Sequence, residues 1–408
     1  MLQSSTLSDH RRRGQELLWG FLGGKARQVL TMLLNAFMED ERTASLGAGR
    51  HERSCRRRGH RNGYFRRALD SLFGRLALDV PKVRSGGFRT LVFEAYGRRQ
   101  EEVNEAIRQW VARGLSTRSV AKALQDAFGV VVSAATVSSV VAQIDAELEA
   151  FHKRSLASGY RFLFLDGKHG YTSRPRRRRG RGKKAESALL LAWGVRRDGA
   201  EELVDFLVAD GETEQNWTSL LTSLEARGLK ARNELGQPLE MIVSDGDQAI
   251  EAAKLMVYPT VPHQRCAFHK IKNIADHLRC RANRETILAE AASIYRDLRT
   301  APEALKRLDD WSERWKVVEP AAVANFRADF ELTLRYLNVD PAWRNRVKTT
   351  NPLERFIREL DRKIERVEVF PSPKSWERCT YLCWKELKTG GYAPTKPKYQ
   401  KHSFTPRY

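Results

Sequence analysis

Leu239-Glu-Met-Ile-Val-Ser-Asp245-Gly-Asp-Gln248 is the stretch whose reading decides the fold. A short, β-branched apolar run ends on an acid and a glycine, and an Ala-rich helical pattern follows. The pattern predicts a buried strand that delivers a carboxylate at its C-terminal end, where open α/β sheets place their chemistry. Arg161-Phe-Leu-Phe-Leu-Asp166-Gly167 has the same grammar. Two core strands that each carry an Asp predict a shared acidic site for divalent metal ions.

Between the two lie further strand patterns, Ser187 to Val195 and Glu202 to Val208, then a helix opened by Glu212-Thr213 and running to Arg227. Strand–strand–strand–helix–strand, with acids on the first and fourth strands, is the ribonuclease-H-like order. The fold class expected is therefore an α/β catalytic domain of that topology. Residues 262 to 345 read as helices and predict an all-α insertion, with Gln264 through Cys280 as one helix. The chain returns at Thr349-Thr350-Asn351-Pro352-Leu353-Glu354, entering a helix with Phe356, Ile357, Leu360 and Ile364 on one face. Glu354 lies about 100° around from Leu353, on the flank of that face.

The N-terminal half reads as helical and basic. Residues 14 to 40 have helical apolar spacing suited to packing or dimerisation, and Gly23-Gly24 predicts a split into two helices. Arg50 to Arg67 is mostly Arg, His and Gly, and Arg56, Arg57, Arg58 and Arg61 make it a flexible arm or ribbon for a nucleic-acid backbone, or else a solvated loop. Alternating Leu72, Leu76, Leu78 and Val80 predict a strand or hairpin closed by Pro81. Gly114 to Ile144 reads as two capped helices around a Gly turn, which is what a helix-turn-helix requires. Ala134, Ala135, Thr136 and Ser139 would open the second helix and enter the major groove. Arg176, Arg177, Arg178, Arg179, Arg181, Lys183 and Lys184 form a basic hairpin tip that would grip phosphates beside the acids. The boundaries expected are 1–85 for N-terminal helices and arm, 86–155 for the helix-turn-helix, 156–262 with 346–385 for the catalytic domain, 263–345 for the insertion and 386–408 for a basic tail.

Composition narrows the function classes. The 408 residues give ample chain for a sizeable core, and 41% hydrophobic residues with nine Trp exclude a disordered protein. A formal net charge of +22 suits a nucleic-acid partner, because Lys and Arg release counterions from phosphates. No apolar run approaches the roughly 20 residues of a membrane helix, so no membrane partner is expected. Five scattered Cys and an N-terminus without a secretory core fit a reduced cytoplasm, at the nucleoid.

Each acid also has a plainer reading. Asp-Gly is an ordinary turn signature, and Asn351-x-x-Glu354 around Pro352 is a capping box. The chemistry unites them, since phosphodiester cleavage uses two divalent ions roughly 3.5–4 Å apart, held by hard oxygen ligands. Asp166 would bridge both ions, with Asp245 and Glu354 completing one side each. Asp247, His169 and Asp210 are further candidates for accessory groups. Cys266-x-x-His269 and His277-x-x-Cys280 suit zinc by residue type. On one helix, though, Cys266 and Cys280 would stand roughly 21 Å apart, so Cys266 and His269 are expected to buttress the acids instead.

Taken in order, Arg61-Asn-Gly-Tyr64, Gly114-Leu-Ser-Thr-Arg118, Val243-Ser-Asp-Gly246, Gln264-Arg-Cys-x-x-His269 and Thr349-Thr-Asn-x-x-Glu354-Arg355 resemble the Mutator-type transposases of bacterial insertion sequences, within the DDE recombinase superfamily. The resemblance implies Asp166, Asp245 and Glu354 as catalytic triad and Cys266 and His269 as supporting residues. It implies two ions of Mg²⁺ or Mn²⁺, binding to terminal inverted repeats, 3′-end nicking, strand transfer to target DNA, and work as a homo-oligomer of at least two chains. The first Asp is followed by Gly-Lys-His, and the Arg176 to Lys184 run is longer and more basic than the family pattern. A non-enzymatic DNA-binding regulator and a ribonuclease-H-like nuclease without strand transfer are the alternatives.

Overall fold

The computed structural model describes residues 3–84, 87–96, 101–128, 132–156, 159–174, 183–365 and 367–389. The chain forms two compact units, one of residues up to Val111 with Leu115–Ile144, the other of Ala112–Gly114 with Asp145 onward. The division falls near Ile144 rather than at 155, and residues 1–85 are not a unit of their own.

In the first unit, α1 (Gln3–Leu46) is one unbroken helix, not two. A glycine pair weakens a helix but leaves both backbone donors in the ladder, unlike proline. Leu30, Leu34 and Met38, each four residues on, pack against a hairpin of β1 (Arg61–Ser71) and β2 (Gly74–Val83). Leu76, Leu78 and Val80 alternate inward along β2, as period two requires. Leu72 lies in the turn, not in the alternating set, and the Ser71 hydroxyl donates to Gly74 O at 2.7 Å to close it. Pro81 does not end the strand. It sits within β2 opposite Tyr64, beside a register shift where a missing N–H does least harm.

Four helices follow: α2 (Leu91–Tyr96), α3 (Glu101–Ala112), α4 (Thr117–Phe128) and α5 (Ala134–Lys153). Ser116 and Ser133 accept from the amides of Ser119 and Thr136 at 3.2 and 3.1 Å, so hydroxyls cap α4 and α5. Along the flank of α1, Val29, Met32, Leu33 and Phe37 are exposed.

The second unit is built on a five-stranded sheet of β3 (Tyr160–Arg174), β4 (Lys183–Arg196), β5 (Glu201–Ala209), β6 (Met241–Ser244) and β7 (His263–Arg265), in the order β5-β4-β3-β6-β7. The first three strands are antiparallel; β6 is parallel to β3, and β7 to β6. Alternate residues serve two cores. Phe162, Phe164, Leu189, Leu191 and Trp193 face one, and Leu163, Leu165, Ala188, Leu190 and Ala192 the other. Burial on both faces is why these strands read as continuous apolar runs.

Helices α6 (Glu214–Ala226) and α7 (Gln248–Val257) join successive strands and cover the second face. Five helices, α8 (Ala267–Lys272), α9 (Arg284–Ile294), α10 (Ala301–Trp315), α11 (Pro320–Arg327) and α12 (Pro341–Val347), intervene before α13 (Asn351–Ile364) and α14 (Pro373–Thr389). This helical block begins after Arg265 rather than at 263, because the fifth strand occupies that boundary. It shares the first apolar core with the sheet and α13 instead of enclosing its own. The basic tail was expected from 386, but α14 continues to Thr389, and the tail beyond lies outside the described residues.

A Cβ at Gly23 or Gly24 would meet nothing within 4 Å. Replacing both with Ala is therefore expected to stabilise the first unit by up to about 1 kcal/mol per site and to raise its melting temperature. A lower melting temperature would mean that the helix bends at the pair.

Candidate active site

Asp166 and Asp245 arrive at one sheet edge because of register. Phe164 of β3 pairs with Val243 of β6, so two residues on, Asp166 and Asp245 stand level on strands roughly 4.8 Å apart. Ser244 pairs with Arg265 of β7, which brings Cys266 level with Asp245 on the next strand. Asp166 does not end its strand as its Asp-Gly pair suggested. β3 runs on to Arg174; what ends beside Asp166 is its parallel neighbour, β6. At Gly246 the chain does turn, with φ +88°, and a Cβ there would stand 2.1 Å from Arg265 Nε.

Glu354 comes from α13, whose Leu353, Phe356, Leu360 and Ile364 are buried. Phe356 packs on Trp193 of β4 with ring centroids 5.7 Å apart, and that contact pins the helix to the sheet. The capping box of Asn351 and Glu354 does not form. Asn351 is already the first helical residue, and the carboxylate turns inward, where Thr350 Oγ1 donates to Glu354 Oε1 at 2.8 Å. The same Thr350 approaches Cys266 Sγ with its amide and its hydroxyl, both at 3.4 Å. His269 Nε2 lies 3.9 Å from Glu354 Oε1, and ligand atoms of Cys266, His269 and Glu354 all fall within 4.8 Å of one another.

The electrostatics follow from this crowding. Burial pushes the Asp166 carboxyl up to about 7, with the charges of Asp245 and Glu354 adding to it and His269 opposing it. Burial disfavours a charge on His269, but the Cys266 sulfur and the Asp166 and Glu354 carboxylates outweigh that and lift it to about 9. Both shifts mark ionisable groups crowded together in a buried place. The site's donors are hard oxygens at one edge, which is what Mg²⁺ and Mn²⁺ take.

The expected helix from Gln264 to Cys280 is not present. His263–Arg265 is a strand, α8 ends at Lys272, and a 3₁₀ turn spans Asn273–His277. The four residues of the zinc reading do not gather at one point, and a long helix is not the reason. Among the described residues, Cys266 and His269 cluster with Glu354, and Cys280 is exposed.

Of the residues expected to meet DNA, Arg56 and Arg58 are exposed. Arg61 is not a free contact: its guanidinium donates to Ala48 O and Gly49 O at 3.0 and 2.9 Å and to Thr43 Oγ1 at 2.9 Å. Arg57 donates to the carbonyls of Glu52 and Gly49. The Arg-rich segment is thus partly folded onto itself. Ala134 and Ser139 are exposed in the first turns of α5, with Thr136 half-buried. Arg176, Arg177, Arg178, Arg179, Arg181 and the Lys183 side chain lie outside the described residues. Lys184 is exposed, with its Nζ 3.6 Å from the Tyr171 ring centroid. Trp311 is fully buried against Phe326, and Trp315 donates to Glu290 at 2.8 Å.

A family model described as Transposase, Mutator family, matches residues 9–390. The chain belongs to that family. It is 33% identical over 368 residues to the transposase for insertion sequence element IS406 of Burkholderia multivorans, covering 89% of this chain and 90% of that one. It is 31% identical over 349 residues to the transposase for insertion sequence element ISRM5 of Rhizobium meliloti, covering 86% and 84%. A looser likeness, at TM-score 0.35 and 10% identity over 69% of this chain and 91% of that one, is to the Drosophila P element transposase strand transfer complex. Among the described residues, no helix is long and apolar enough to cross a membrane.

In this Mutator-family chain, the accessory acids divide by role. Asp247 caps α7, accepting from Ala249 N at 2.7 Å, and Asp210 accepts from Asn216 at 3.1 Å. Thr350 and Glu212 were not singled out from sequence. Thr350 looks like any residue before an N-terminal helix turn, and Glu212 like part of a helix start.

Behind Asp245, His263 Nε2 and Ser244 Oγ are 2.8 Å apart. Burial, with the charges of Lys254, Arg265 and Arg335 adding, pushes His263 down to about 4. The unfolded chain would take up this proton near pH 6.5 while the folded chain resists it. Stability is therefore expected to fall as pH drops from about 6.5 towards 4, by up to about 3 kcal/mol from this group. Denaturant melts of wild type and His263→Gln across that range check it; equal slopes would remove His263 as the cause.

Proposed function

We propose that the chain is a DNA transposase that binds the terminal inverted repeats of its insertion sequence, nicks their 3′ ends and transfers them to target DNA. The observation that carries this reading is the convergence of three carboxylates from separate elements, Asp166, Asp245 and Glu354, on one sheet edge in a Mutator-family chain. In this reading the sheet is ribonuclease-H-like. Helices α4 and α5 act as the helix-turn-helix, with Ala134, Thr136 and Ser139 towards the bases. The net charge of +22 supports a phosphate-rich partner. The exposed apolar residues of α1 support work as a homo-oligomer.

Asp166, Asp245 and Glu354 would hold two Mg²⁺ or Mn²⁺ ions, and the donor set fits them. Bound there, the ions would activate the attacking oxygen and support the leaving oxygen of a phosphodiester. The same in-line displacement serves both steps. Water attacks phosphorus and frees the 3′-hydroxyl; that hydroxyl then attacks a target phosphate and displaces a target 3′ oxygen. Thr350 would keep the Glu354 carboxylate turned to the sheet edge, and Cys266 would anchor Thr350.

The test is nicking of a duplex that carries the element's end, with and without Mg²⁺, by wild type, Asp245→Asn and Glu354→Gln. The Gln oxygen can still accept from Thr350, so the helix start is preserved. Both variants are expected to bind the duplex but to nick roughly a thousandfold more slowly or worse. Nicking without metal, or at wild-type rate in Asp245→Asn, overturns the reading.

A further inference from the structure

Glu212 lies in the connection between β5 and α6, one residue before the Thr213 cap. Its side chain is only 15% exposed, and among the described residues the charged group that meets it is His169, Nε2 to Oε1 at 3.1 Å. What allows it in is a missing side chain. A Cβ on Gly167 would stand 2.0 Å from Glu212 Oε2 and 2.3 Å from Oε1, so the carboxylate rests on the bare backbone of β3 at the residue next to Asp166. Asp166 and Gly167 point to opposite faces of the strand, so Glu212 approaches the same edge from the side away from α13. Burial raises its pKa, opposed by His169 and reinforced by Asp245 and Asp247. Asp247 and Asp210 are already committed to local hydrogen bonds. Among the described residues, Glu212 has no such amide or hydroxyl partner, although it is largely out of water.

We propose that Glu212 is a fourth carboxylate of the acid centre, reaching it across Gly167 from the opposite face of β3 and helping to hold a divalent ion there, with His169 positioning it. This rests on the metal-dependent reading above. A mostly buried carboxylate resting on the residue next to Asp166 is costly on its own, and a divalent ion offsets that cost. It also gives the first Asp-Gly pair a role. The glycine does not form a turn; it clears space for the fourth acid.

Mn²⁺ binding to the full chain without DNA, followed by titration calorimetry or by the free Mn²⁺ resonance signal, tests this apart from catalysis. Glu212→Gln is expected to weaken Mn²⁺ binding roughly tenfold or more, and Asp245→Asn at least as much. Gly167→Ala keeps the charge but displaces the carboxylate, and is expected to weaken binding too. In a Glu212→Ala background, Gly167→Ala should then add little, because the group it displaces is gone. Circular dichroism would confirm that each variant is folded. Wild-type affinity in folded Glu212→Gln, with Asp245→Asn impaired, overturns the fourth carboxylate and leaves the metal-dependent reading standing. Wild-type affinity in Asp245→Asn, or no Mn²⁺ binding by wild type, overturns both.

Discussion

The register of two short strands, β6 and β7, laid parallel beside β3 is the constraint on which the second unit depends. Strands β3, β6 and β7 pair so that Asp166, Asp245 and Cys266 fall on one level at their shared edge. Neighbouring parallel strands are roughly 4.8 Å apart, so the level alone brings two carboxylates and a thiol into mutual range before any side chain chooses a rotamer. The cores on both faces keep that register, since a slip by one residue would exchange Phe164 for Leu165 and turn every acid to the wrong side.

A second connection ties distant sequence to that edge. The helices from α8 to α12 separate Cys266 from Thr350, yet the amide of Ala267 donates to Lys348 O at 3.1 Å and Thr350 meets the Cys266 sulfur. The helical block therefore leaves and re-enters the sheet at one point. Its shared core with α13 carries that point's position to Glu354. Cys266 acts as a buried polar anchor for Thr350 at the point where the block re-enters.

The sheet was legible because its longer strands are buried on both faces and so appear as unbroken apolar runs, two of which lead into an Asp-Gly pair. The helix of Glu354 was legible from its spaced apolar residues, but the role of Glu354 was not, because a capping box and an inward carboxylate share one sequence. Only the position of Thr350 separates them. β7 was missed because three residues, His263-Gln-Arg265, carry no apolar period, and the break after Lys272 has no proline or glycine to announce it. Arg61 looked free because composition says nothing of carbonyls folded back within reach. Glu212 was illegible in principle: what admits it is the absence of a side chain on another strand.

The β3–β4 ladder is paired from Tyr160 opposite Arg196 to Arg174 opposite Lys183. Its acid sits near the middle, well inside the strand, while the Arg-rich connection lies beyond its far end. Changes in chain length therefore have unequal consequences along this hairpin. A residue gained or lost between Tyr160 and Asp166 inverts the face on which the carboxylate emerges. The same change between 175 and 182 leaves every pair of the ladder as it was. The ladder therefore sets the length of the chain before Asp166 and sets none for the connection beyond Arg174 and Lys183.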